Sequence, residues 1–152
     1  MSVAQIRTAI RGSMQKVANI GIVTDFEPVV QREEDLRTYF YDRALGYLLG
    51  WSISREATSG ADATNMSDFE AHTFVLRGYR AVDNAGGSER AMQDLAEAIR
   101  GVLRAEEAGG WNGLVQFVGH PAVRLFEARV FGDVLVHYCE LTVVITEHIS
   151  VP

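Results

Sequence analysis

Gly132-Asp133 lies between two runs of alternating side chains, and no other feature limits the possible folds of this chain as much. Glycine in the first position of a two-residue loop is what a type II′ hairpin turn requires. With Phe131 facing Val134, the hairpin from Ala122 to Glu147 falls into register without adjustment. Val130 meets Leu135, Ala128 meets His137, Phe126 meets Cys139 and Arg124 meets Leu141. Apart from Arg124 and His137 this face is apolar, so the pairing writes a core surface. The opposite face carries Phe131, Arg129, Glu127, Leu125 and Val123, answered by Val134, Val136, Tyr138, Glu140 and Thr142. It is too oily to be wholly solvated and too charged to be a core, so it reads as a surface that something covers. Glu127, Arg129, Tyr138 and Glu140 are its candidate subunit or partner contacts.

Upstream, Val3, Ile6, Ile10, Met14 and Val17 recur at helical steps, with Ser2 and Gln5 spaced as a capping box. Ile20 to Val23 reads as a short buried strand. Glu33, Glu34 and Asp35 suit a helix N-terminus, and the stripe Leu36, Phe40, Ala44, Tyr47 and Leu48 carries that second helix to Leu49. Trp51 to Glu56 alternates like a half-buried strand. Ala57 to Asp68 is small, polar and aperiodic, which predicts a loop. Phe69 to Arg80 predicts a long strand. Ser88 is a good N-cap for the helix marked by Met92, Leu95, Ala96, Ile99, Val102 and Leu103, which Gly109-Gly110 stops. A short strand from Leu114 to Val118 precedes Pro121. This order predicts an α+β fold in a single domain, residues 1–152. Its sheet is mainly antiparallel or mixed, of about four or five strands, with helices packed on one face and the C-terminal β-hairpin closing it.

The net charge is -6, with 14 Lys and Arg scattered among 20 acids, which argues against a surface that grips nucleic-acid phosphates. Cys139 is the single cysteine, so no internal disulfide forms and a reducing compartment suits the chain. Ser2 to Arg7 lacks the apolar run of a signal peptide, and no stretch approaches ~18 uninterrupted apolar residues. The expected setting is a cytoplasm, with no membrane partner. Asn65-Met66-Ser67 matches a glycosylation sequon, which has no meaning without secretion.

Several residues could carry chemistry and are better read as structure. His137 and Cys139, two apart on a strand, share one face, but a metal site needs a third ligand and only His120 offers itself. As a nucleophile pair they would point into a packed face with no third group to orient them. Gly86-Gly87-Ser88 lacks the lysine and spacing of a phosphate loop, leaving helix capping. Glu33 to Asp35 could hold a divalent cation, but the helix dipole already accounts for the run. Arg124, Glu127, Arg129 and Glu140 alternate in sign as salt bridges to a neighbour would, rather than as catalytic carboxylates. Neither an enzyme nor a bound cofactor or metal is expected from these patterns.

The opening helix followed by Ile20-Gly21-Ile22-Val23-Thr24-Asp25, the Gly50-Trp51-Ser52-Ile53 strand and the strand ending Arg77-Gly78-Tyr79 form one part of a resemblance. The Ser88 to Ala105 helix, Phe131-Gly132-Asp133 and His137-Tyr138-Cys139-Glu140-Leu141 complete it. Together they resemble small morphogenesis proteins of long-tailed bacteriophages and Mu-like prophages, in particular tail terminator (tail completion) proteins. The resemblance implies a structural protomer that forms a homo-hexameric ring in the virion, assembled in the host cytoplasm. Such a ring caps the tail tube protein, stops its polymerisation and joins the tail to the head-completion or neck protein. Genomic DNA would pass through it without sequence-specific binding. The alternatives are a head-closure or neck adaptor of the same virion, a small cytoplasmic enzyme using His137 and Cys139, and a non-viral ligand-binding domain.

Overall fold

The hairpin register holds from the Phe131–Val134 rung down to the Leu125–Glu140 rung. It is seen in a computed structural model that describes residues 3–28, 33–64, 67–131 and 134–150. The Gly132-Asp133 turn, the Ser2 cap and Asn65-Met66 of the sequon lie outside the described residues. In chain order the elements are α1 (Val3–Met14), β1 (Ile22–Thr24), α2 (Glu33–Phe40), β2 (Tyr41–Asp42), β3 (Tyr47–Thr64) and β4 (Ser67–Ala81). They continue with α3 (Ser88–Arg104), α4 (Gly110–Gly113), β5 (Phe117–Val118), β6 (Ala122–Phe131) and β7 (Val134–Ser150).

The sheet has seven strands in the order β1-β3-β4-β7-β5, with β2 also on β3 and β6 also on β7. Seven strands exceed the expected four or five: β3, β4, β6 and β7 are long, and β1, β2 and β5 are two- or three-residue additions. Only the β1–β3 pair is parallel, so the sheet is mixed.

Side-chain alternation sends Leu49, Trp51 and Ile53 of β3, Phe74 and Leu76 of β4, and Cys139, Leu141, Val143 and Ile145 of β7 to one face. There they meet Ile6, Ile10 and Met14 of α1 and Met92, Ala96, Ile99 and Leu103 of α3. The other face is not bare. Leu36 and Phe40 of α2 cover Leu48, Tyr79, Val136 and Tyr138 in a second, smaller core. The expectation of helices on one face is therefore corrected: α2 packs on the face opposite α1 and α3.

Further boundaries differ from expectation, among them β5, which starts at Phe117 rather than Leu114, and β1, which spans Ile22–Thr24 rather than Ile20 to Val23. The second helix ends at Phe40, not Leu49, because the Asp42 carboxylate accepts the N–H groups of Ala44 and Leu45 and closes a turn into β3. Ala57 to Thr64 is strand rather than loop. Its backbone pairs with β4 from Thr73 to Ser67, and β4 pairs in turn with β7 out to Ser150, so a three-stranded extension forms without apolar alternation. Ser88 is the first residue of α3 and not its cap, which is Gly87 at φ 70. Residues 110–113 of α4 all have positive φ, giving a left-handed turn through Trp111 and Asn112. It is pinned by Trp111, whose N–H donates to Glu106 and whose indole N–H donates to Ser13 Oγ at 2.8 Å.

Candidate functional site

Two bulges shape the second face. One residue is inserted in β3 between Arg55 and Ala57, and one in β6 between Val123 and Leu125. The extra residues, Glu56 and Arg124, lie on opposite edge strands, yet their side chains meet at 2.9 Å. Bulges sharpen local twist, and the sheet curls so that this face is concave. Arg124 therefore does not oppose Leu141 on the core face as expected. Val123 takes that rung, and the bulge lets the guanidinium escape burial beside an apolar side chain.

Arg124 begins a chain of alternating charge across the concave face. Its Nε lies 3.6 Å from Glu140, Glu140 lies 3.8 Å from Arg77, and Arg77 donates to Glu27 at 3.1 Å. Next to it, Arg129 pairs with Glu127 and places its guanidinium 3.8 Å from the centre of the Tyr138 ring. The Tyr138 hydroxyl donates to Glu140. These groups surround a cleft of about 560 Å³ lined by Glu27, Arg77, Tyr79, Arg129, Tyr138 and Glu140, among others. All four sequence-nominated residues thus sit on or beside one feature, but in different roles. Tyr138 is 2% exposed and Glu140 8%, both covered within the protomer, whereas Glu127 and Arg129 reach its surface. Sequence reasoning missed Arg77, Tyr79 and Glu27, which reach the cleft from β4 and from the segment after β1.

The tyrosines of the cleft stay protonated. Burial, reinforced by Glu27, pushes the Tyr79 hydroxyl up to about 12, and burial together with the hydrogen bond to Glu140 raises Tyr138 as well. The charges around the cleft are paired with one another within the protomer.

His137 and Cys139 line the first core. Cys139 is fully buried, and burial, then Glu140, pushes its thiol up to about 12. A thiol in that state is a small apolar filler, not a nucleophile. Cys139→Ser should cost about 1–3 kcal/mol in denaturant unfolding, through a buried hydroxyl without a partner, with Cys139→Ala milder. His120 is an exposed partner of Glu107 at 2.8 Å and does not join this pair.

His137 Nε2 lies 2.8 Å from Ser88 Oγ, and Ser88 Oγ accepts the Asp83 N–H at 2.7 Å, so the pair fastens the start of α3 to β7. The N–H groups of Gly86, Gly87 and Ser88 are spent on Asp83 and Asn84, which removes the anion-binding reading of that glycine pair. Burial lowers the His137 pKa, Arg80 adds to the lowering, and Glu89 opposes it. The unfolded chain therefore binds a proton that folded His137 resists, so stability should hold above about pH 6.5 and fall below it. Urea midpoints between pH 8 and pH 5.5 check this, and the His137→Gln protein should lose that part of the slope.

Among the described residues, one group of His, Cys, Asp or Glu side chains could share a metal ion: Glu70, His72 and Glu147. Glu34 and Asp35 are not part of it, and the Glu33 side chain lies outside the described residues. The Glu70-His72 spacing is visible in the sequence, but Glu147 joins them only through the β4–β7 register.

No helix of the described residues is long and apolar enough to cross a membrane. No family model matches the chain, and no curated protein matches it.

Proposed function

We propose that the protein is a tail terminator of a long-tailed bacteriophage, a structural subunit whose copies close into a ring on the end of the tail tube. The observation that carries this reading is the state of the sheet's two edges. Among the described residues, β6 has no partner on its outer side, and β3 has none beyond Ser52 on the side away from β4. Two different open edges on one protomer favour head-to-tail contacts, and head-to-tail contacts that close produce rings, here a hexamer. Exposed Val123 and Val130 on β6 add apolar surface to that edge, and Leu135 on β7 flanks it. The paired charges of the concave face supply selectivity and register at such a contact. A net charge of -6 suits a ring that lets genomic DNA pass without holding it. The ring would stop tube growth and offer its far side to the head-completion protein, as part of the virion.

Polymerising tail tube protein with and without this protein, followed by negative-stain imaging, tests the proposal. Short tubes ending in a ring are expected. Tube lengths unaffected by excess protein, with bare ends, would overturn it, and a ring bound only to the neck side would make it the neck adaptor instead.

A further inference from the structure

We propose that Glu70, His72 and Glu147 form a site for a divalent transition-metal cation at the base of the three-stranded extension. Antiparallel pairing sets Glu70 of β4 opposite Glu147 of β7, with His72 two residues along on the same side of β4. One imidazole nitrogen, His72 Nε2, faces both carboxylates, at 3.1 Å from Glu147 Oε1 and 3.8 Å from Glu70 Oε2. One ligand atom from each residue lies within 4.8 Å of the others. The inference rests on these residues alone and is independent of the ring.

Two observations point to a cation. The first is an orphan. Glu147 is 4% exposed, and its second oxygen, Oε2, is buried without a hydrogen-bond partner among the described residues. A carboxylate buried half-satisfied is costly, and an ion supplies the missing partner. The second is the support of the ring. His72 is 1% exposed, and its Nδ1 lies 2.9 Å from Thr58 Oγ1 on β3. Metal-binding histidines are held in this way, with Nδ1–H donating outward and the Nε2 lone pair left for the ion. Without an ion, Nε2–H can donate to Glu147 Oε1 at 3.1 Å, and the cation would take the place of that proton.

The donor set also selects the class of ion. One imidazole nitrogen and two carboxylate oxygens, without sulfur, suit Zn²⁺, Co²⁺ or Mn²⁺ better than Ca²⁺ or a soft monovalent ion. Ligand atoms in a tetrahedral site with bonds of about 2.0–2.1 Å stand about 3.3 Å apart. The 3.1 Å separation between His72 and Glu147 already matches such an edge, and half-exposed Glu70 has the freedom to move in.

The test uses the full-length, tag-free protein stripped with EDTA. It is titrated with Zn²⁺ by calorimetry and with Co²⁺ by visible absorption, which reports coordination geometry. One equivalent should bind, raise the melting temperature and leave on chelation. Glu70→Gln, at a half-exposed position that tolerates the change, should weaken binding by about tenfold or more, and Thr58→Val by about tenfold. His72→Gln should abolish binding if the variant folds. No binding of either metal at millimolar concentration, or equal affinity in wild type and Glu70→Gln, would overturn the proposal; the second result would place the metal on other surface groups.

Discussion

Phe40→Ala should cost the protomer about 3–5 kcal/mol of folding stability, measured by urea or thermal unfolding. Phe40 is fully buried and is the residue by which α2 grips the sheet. Its ring stacks on Tyr79 with centroids 5.1 Å apart, beside Leu36, Leu48 and Tyr138. The space it fills exists because Gly50 has no side chain; a Cβ there would come within 2.1 Å of the Phe40 ring. Gly50→Ala should therefore unseat the same helix from below. A loss under about 1 kcal/mol for Phe40→Ala would mean that α2 contributes little to the second core.

Tyr138→Ala should destabilise the protomer by about 3 kcal/mol or more. The hairpin's second face looks from sequence like an interface, on which this substitution would leave the protomer folded and loosen only a ring. In the structure Tyr138 is 2% exposed and held by Tyr79, Arg129 and Glu140 of the same chain. Tyr138→Phe isolates the hydroxyl and should cost about 1–2 kcal/mol, because Glu140 loses a donor in a poorly solvated place. Comparing both melts with subunit mass separates the roles. A Tyr138→Ala protein that melts like wild type would return this residue to a subunit contact.

The hairpin register was legible because two local signals agree, a glycine-first turn and strict alternation on both sides. The end of α2 was not legible. Leu36, Phe40, Ala44, Tyr47 and Leu48 keep a helical period across the boundary, and the deciding event is one carboxylate, Asp42, capturing two N–H groups. The strand from Ala57 to Thr64 carries no apolar alternation because its order comes from backbone pairing with β4, a long-range partner. Arg124 could have been doubted from sequence alone, since an arginine opposite Leu141 on a core face would be buried unpaired. The concave face was half visible. Glu127, Arg129, Tyr138 and Glu140 follow from the hairpin, while Arg77 and Glu27 arrive only once the sheet is assembled and curled. The Glu70, His72 and Glu147 group is hidden for the same reason, because two of its members are 75 or more residues from the third.

Ring formation is the claim on which the functional account stands, and native mass spectrometry reads it directly, with the protein alone and in the presence of tail tube protein. The account predicts a closed species of six times the 16.8 kDa chain, about 100 kDa. It also predicts that the double variant Val130→Lys, Leu135→Lys reverts to protomer with an unchanged melting temperature, because these side chains are 65% and 46% exposed. A protein that stays at 16.8 kDa at every concentration, and does not gather at tube ends, would contradict the account.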